Sequence, residues 1–200
     1  MSIKRQLAPF YFYTAVVILL LTIAGMGKGP SKSGILLLLM SGILSWGLVE
    51  YVLHRFLFHL NTRSIIGLNF VYPAHLSHHE NPKATEHLFA SLLISLPIAT
   101  AYWMLAWFAV GTWRAASYLF IGLVAGYFSY EWLHFQAHHG RSRQPLLRYL
   151  RKYHLLHHYR SADLRFGVTS PLFDFLFGTF ATVRDGKPKL QGHEVSSTAR

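Results

Sequence analysis

Histidine is the residue this sequence holds in excess, with 13 copies against 8 aspartates and glutamates. Eleven of them stand in four tight groups: His54/His59, His75/His78/His79, His134/His138/His139 and His154/His157/His158. A neutral imidazole offers a lone pair that zinc, copper, iron and nickel all accept, so the chemistry these residues point to is metal binding. A lone histidine near a helix end is ordinarily a hydrogen-bonded interfacial residue. Two clusters spaced i, i+3, i+4, beside two further groups, have no such explanation. Residues three or four apart share a helix face. His75 is therefore expected to point together with His78 and His79, His134 with His138, and His154 with His157 and His158. Ten imidazoles (His54, His59, His75, His78, His79, His134, His138, His154, His157 and His158) are more than one ion uses, since zinc takes about four ligands and octahedral metals about six. Two metal ions are implied. With no cysteine in the chain, thiolate sites, cysteine-ligated iron–sulfur clusters and disulfides are excluded.

Four more residues stand close enough in sequence to support this set. Glu50 lies four residues before His54 and Glu131 three before His134. Each is expected to accept an imidazole N–H, which would hold the ring and raise its basicity. His139 is turned about 100° from His138 on a helix, and His87 stands alone at the start of a hydrophobic segment, so both are assigned supporting rather than ligating roles. His193 is left out.

The elements that must position these groups are long and apolar. Four hydrophobic segments, about 10–26, 34–58, 88–110 and 115–135, each have roughly the 17–25 residues that cross a bilayer core. Lys4 and Arg5 before the first segment resemble the opening of a signal peptide, but the stretch after it offers no convincing cleavage site, so the segment is read as retained. A helix from Gly34 reaches His54 after about 30 Å, and one from Ala115 reaches His134 after about 28 Å, so both deliver their histidines to one interface. The two halves share a plan, a hydrophobic hairpin followed by histidine clusters. Pro97 is a kink candidate. The runs Pro145–Leu150 and Pro171–Phe177 read as short helices resting at the interface or capping the core. Residues 1–185 are expected to form one membrane-embedded domain, and 186–200 a flexible tail.

Composition agrees. A hydrophobic fraction of 52% and a charged fraction of 14% suit a membrane protein better than a soluble one. The net charge of +11 forms no single basic stripe interleaved with aromatics, so nucleic-acid binding is set aside. With four spans and the N-terminus inside, the 19 basic residues divide sixteen to three in favour of the cytosolic side, Lys28, Lys32 and Arg114 being the three outside. The expected fold is thus an all-α integral membrane protein, with four transmembrane helices, a cytosolic histidine-rich dimetal cap and both termini in the cytosol.

The ordered set His54-x₄-His59, His75-x₂-His78-His79, His134-x₃-His138 and His154-x₂-His157-His158 resembles the fatty acid hydroxylase superfamily of integral-membrane di-iron proteins. The run Tyr153-His154-Leu155-Leu156-His157-His158-Tyr159, followed by Phe166-Gly167-Val168-Thr169-Ser170 and Phe177-Gly178-Thr179, is similar to its fatty acid 2-hydroxylase branch. That resemblance implies two irons held by the ten histidines, O₂ as co-substrate and hydroxylation of a long-chain acyl group beside its carbonyl. Zinc is expected to be able to replace iron in purified protein, because imidazole accepts both. Lys152, Tyr153, Tyr159 and Arg160 are candidates to meet the lipid headgroup. No cytochrome b5 segment is legible in these 200 residues, so the electron donor is expected to be a separate cytochrome b5-like or ferredoxin-like carrier. The compact form is expected in a bacterial inner membrane. The same metal set serves carotenoid and sterol oxygenases and lipid desaturases, and these stay open as alternatives. Outside enzymes, the alternative is a membrane metal transporter or storage protein, which should place ionisable groups along a mid-bilayer path.

Overall fold

The structure, a computed structural model, describes residues 3–59, 75–85 and 88–183, together with Ile65, Asn69 and Tyr72. His87 and His193 lie outside the described residues, as does the expected tail. The chain forms α1 (Ile3–Gly25), α2 (Lys32–Val52), α3 (Ser77–Glu80), α4 (Leu92–Val110), α5 (Trp113–His139), α6 (Pro145–Tyr159) and α7 (Leu172–Leu176). A π-helical turn, Leu53–Phe58, continues α2 without a break.

Three stretches, Gln6–Gly25, Lys32–Phe58 and Leu92–Val110, are long and apolar enough to cross a membrane. Their outer faces are open and apolar, with Leu37 68% and Phe108 91% exposed. Such surface is stable against lipid tails and unfavourable against water. The fold is therefore all-α and multi-pass. α5, expected as a further span, has 27 residues but a different character. Its buried face carries Tyr118, Tyr127, Glu131 and His134, and α1, α2, α4 and α6 all pack on it. Protein rather than lipid surrounds this helix, so its polar residues find a sheltered place.

Local chemistry sets the ends. Ser31 caps α2 by accepting the Gly34 N–H at 3.1 Å, and Thr112 caps α5 by accepting that of Ala115 at 3.3 Å. Gly111, in the left-handed region at φ 72, closes α4. α4 runs through Pro97 and starts at Leu92, later than its hydrophobic segment suggests. α6 starts at Pro145, which suits the first helical turn, and runs on to Tyr159 rather than stopping near Leu150. It thus carries the whole fourth histidine cluster.

α2 and α5 touch backbone to backbone. A Cβ on Gly42 would lie 2.1 Å from the Leu119 carbonyl oxygen, and one on Gly122 2.2 Å from that of Leu39. Small residues allow this approach, which van der Waals contact then stabilises where no hydrophobic effect acts between helices. Arg114 donates to the Met26 carbonyl at 3.1 Å, which ties the α1–α2 and α4–α5 connections together at one end of the bundle. The histidines gather at the other end.

Candidate metal centre

Helix pitch sorts the histidines more finely than a shared face. Two groups of five ring nitrogens form: His54, His59, His75, His79 and His157 in one, and His78, His134, His138, His154 and His158 in the other. Within each group the ligand atoms all lie within 4.8 Å of one another. The pairs four apart, His75/His79, His134/His138 and His154/His158, stay together. The members three apart, His78 and His157, cross to the opposite group, which corrects the expectation that each triplet points as a unit. On a helix, i+3 and i+4 diverge by about 100°, enough for one turn to serve two centres. Each group consists of four histidines from one half of the chain and one from the other.

His54 and His59 join one group although five residues on an α-helix are about 140° apart. The π-helical turn Leu53–Phe58 bonds i to i+5 and brings them to the same side. Their ring centroids are 5.2 Å apart.

The ring nitrogens face one another closely. His75 Nε2 is 2.9 Å from those of His54 and His79. In the second group His78 Nε2 lies 2.9 Å from His134 and 3.0 Å from His138, and His154 Nε2 lies 2.9 Å from His138 and 3.0 Å from His158. Not every one of these nitrogens can be a donor. His54 Nδ1 donates to the Phe166 carbonyl at 2.5 Å and His157 Nδ1 to the Leu164 carbonyl at 2.7 Å, and a carbonyl only accepts. In the neutral ring Nε2 is then a bare lone pair. Lone pairs pointed at each other repel unless a cation lies between them. With metal–nitrogen bonds of about 2.1 Å, ligands at right angles stand about 3.0 Å apart and tetrahedral ones about 3.4 Å. The observed separations fit right-angled ligation, so the residues present suit a pair of ions with more than four ligands each.

Electrostatics keep the rings in ligating form. Burial, and then neighbouring imidazoles, hold His75, His154 and His157 far below the usual imidazole range. Burial lowers His59 to about 4 and, with His59 and His78 beside it, His79 to about 3. Neutral rings are what a metal requires.

The supporting residues fall differently from expectation. Glu50 reaches no imidazole; it accepts the Val168 N–H, the Thr169 N–H at 3.0 Å and the Thr169 hydroxyl. Glu131 accepts the Ala90 N–H at 3.0 Å. A buried carboxylate needs donors, and here backbone N–H groups supply them. His139 lies outside both groups, stacked on Phe135 with centroids 5.1 Å apart. Tyr153 is fully buried and stacks on Phe180, so it cannot meet a headgroup from the surface. Asp174, Arg165 and the Leu164 and Phe166 carbonyls escape sequence reasoning, because a backbone acceptor leaves no trace in residue type.

Beside the first group lies an almost wholly apolar cavity of about 70 Å³. Glu50, His54, Phe58 and Tyr130 line its metal end, and Ile98, Ala99, Leu123 and Val124 line it deeper in the bundle. Tyr130 stacks on His134 with centroids 5.6 Å apart, linking the cavity to the second group as well.

Comparison with known proteins agrees with this geometry. Residues 39–179 match the model of the fatty acid hydroxylase family. The chain belongs to the fatty acid hydroxylase family. It is 40% identical over 161 residues to a dihydroceramide fatty acyl 2-hydroxylase of Arabidopsis thaliana, covering 78% of this chain and 65% of that one. It is 36% identical to a ceramide very long chain fatty acid hydroxylase of Saccharomyces cerevisiae, covering 70% and 36%. A solved structure of full-length Scs7p, in which only the hydroxylase domain is visible, superposes with a TM-score of 0.78 at 31% identity, covering 89% of this chain and 66% of that one. This member of the family thus spans about two thirds of the plant relative and little over a third of the yeast one.

Proposed function

We propose that this chain is an O₂-dependent hydroxylase of long-chain acyl lipids, acting at carbon 2 with two histidine-held irons. The observation that carries the reading is an apolar cavity with His54, a member of the first five-nitrogen group, in its wall. An almost wholly apolar cavity suits the alkyl part of a lipid and offers little to a polar substrate. Ile98, Leu123 and Val124 would hold the chain by burial, and the walls exclude water from the reacting end. His54 and Phe58 at the metal end fix which carbon comes nearest. The exposed Lys152 and Tyr159 and the half-buried Arg160 remain candidates for the headgroup.

Bound irons would supply O₂ activation, with one oxygen atom going to the carbon and the other leaving as water, using two electrons and two protons. The electrons come from a separate carrier of the cytochrome b5 or ferredoxin type. In this reading α5 crosses the bilayer with α1, α2 and α4, both termini lie in the cytosol of a bacterial cell, and residues 1–185 form the working domain.

The test is mass spectrometry of lipids after reaction with iron-loaded protein, O₂ and a reducing carrier. Acyl chains carrying one added oxygen at carbon 2 are expected. Loss of two hydrogens would make the chain a desaturase, and an oxygenated sterol or carotenoid would move it to those branches. Iron or zinc flux into vesicles without any lipid product would overturn the enzyme reading.

A further inference from the structure

Four consecutive backbone N–H groups, those of Phe166, Gly167, Val168 and Thr169, all end on two buried carboxylates. Asp174 takes the first two at 2.8 Å each, and Glu50 takes the others. Asp174 is 0% exposed and Glu50 4%. The Thr179 hydroxyl donates to Asp174 at 2.7 Å and the Thr169 hydroxyl to Glu50, so both carboxylates are well supplied with donors.

The peptide group between Phe166 and Gly167 is held at both ends. Its N–H donates to Asp174, and its carbonyl accepts from His54 Nδ1. A carboxylate pulling on the N–H of an amide pushes electron density onto the carbonyl and strengthens it as an acceptor. The arrangement does through one amide what a carboxylate does directly when it orients a ligating imidazole. The Leu164–Arg165 peptide, two back, repeats it: the Leu164 carbonyl accepts from His157 Nδ1, and the Arg165 N–H donates to the Thr179 carbonyl at 3.1 Å. Arg165, between the two acceptors, has φ 64, a conformation a non-glycine residue adopts only when its surroundings enforce it. Its guanidinium enforces it by donating to Ser161, Ala181 and Thr182. Gly167 is needed for the approach, because a Cβ there would lie 2.1 Å from the Ser170 carbonyl oxygen and 3.0 Å from Asp174 Oδ2.

Both of these ring-to-carbonyl bonds serve the same group. His54 and His157 belong with His59, His75 and His79. In the other group the Leu88 carbonyl faces His134, and the buried Glu131 accepts from the Ala90 N–H, one peptide further on, so the same amide does not link carboxylate and ring there. We propose that Asp174, acting through the Phe166–Gly167 peptide and seconded by Glu50, is a positioning residue for the His54 group alone, so that the two metals differ in how firmly they are held. The inference rests on the dimetal reading above.

Zinc release from the zinc-loaded, detergent-solubilised protein to a chromogenic chelator tests it, because the readout does not depend on activity. The native chain should hold two zinc ions and release them in two phases, the slower one from the His54 group. His54→Ala and His134→Ala, each retaining one ion, identify the phases. Asp174→Asn should speed the slow phase about 10- to 100-fold and leave the fast phase unchanged, which is the usual scale for removing a residue that orients a metal ligand. Thr179→Val, a nearly isosteric change that removes one donor from Asp174, should shift the same phase in the same direction by a smaller factor. It decides the matter if Asp174→Asn fails to fold. Equal acceleration of both phases would show a general loosening and overturn the proposal. So would unchanged release in Thr179→Val, or a single phase carrying both ions in the native chain. Fewer than two ions in the native chain would instead sink the dimetal reading itself.

Discussion

His138 Nε2 stands 3.0 Å from that of His78 and 2.9 Å from that of His154, while its neighbour His139 stacks on Phe135. Replacing His138 with alanine should lower the metal content from two ions per chain towards one and abolish hydroxylation; His139→Ala should keep both. Metal analysis at matched yield and oligomeric state checks this, and loss of an ion in His139→Ala alone would refute the assignment. Acid should act through the same rings. A group whose folded pKa is depressed gains its first protons in the open state, so it stabilises the site above its ordinary value and ceases to as pH falls through the folded one. For His59 and His79 that window runs from the ordinary 6.5 down to about 4 and about 3. Metal content and melting temperature, measured from neutral pH downward, should fall together across it; a site indifferent to that range would contradict the burial of these imidazoles. At this scale the ten candidate ligands were legible because imidazole is rare and its spacing periodic. Their division between two centres was not, since it depends on where each helix axis points. Glu50 and Glu131 take backbone donors rather than imidazole N–H groups, since sequence distance to a histidine says nothing about a nearer backbone donor.

The contact between α2 and α5 sets how accurately His54 and His134 meet. Gly122→Leu should drive a side chain into the Leu39 carbonyl and destabilise the bundle by about 1–3 kcal/mol or more. Gly25→Ala is the matched control, because nothing lies within 4 Å of the added Cβ. Thermal melting of the two variants in detergent should separate them clearly, and equal melting temperatures would mean that α2 and α5 are not in backbone contact. Hydropathy located α2, α4 and the end of α1 to within a few residues, because the signal is an uninterrupted run of apolar side chains, while α1 starts seven residues before its apolar run, at Ile3. α6 was cut short at the sequence level, since its mixed leucines, arginines and histidines give no run of that kind. The π-helical turn at Leu53–Phe58 was invisible for a related reason: a single widened turn leaves the average helical period intact. Its only trace is the five-residue interval between His54 and His59, too long for one α-helical face.

For the whole molecule, the tie between Arg114 and Met26 puts two connections at the end opposite the histidines. Single cysteines, introduced into a chain that has none, should therefore be labelled from outside near Lys28 and Arg114 and from the cytosol near Arg148. Outside labelling near Arg148 would invert the orientation. Overall class was readable from composition, whereas α5 shows where hydropathy stops being a guide, since a helix sheltered by its neighbours need not be apolar itself. The exchange of His78 and His157 between the two groups also constrains biosynthesis. Residues emerge from the ribosome in order, and by the time α3 is made four ligands of the first group exist, yet the fifth waits for α6. The second group likewise draws on a histidine made long before its other four. Neither centre is complete in a truncated or half-inserted chain, so such products should bind metal weakly and release it. Full loading then reports that the two hairpins have been synthesised, inserted and docked, which makes metal retention a natural signal for quality control to discriminate finished molecules from fragments.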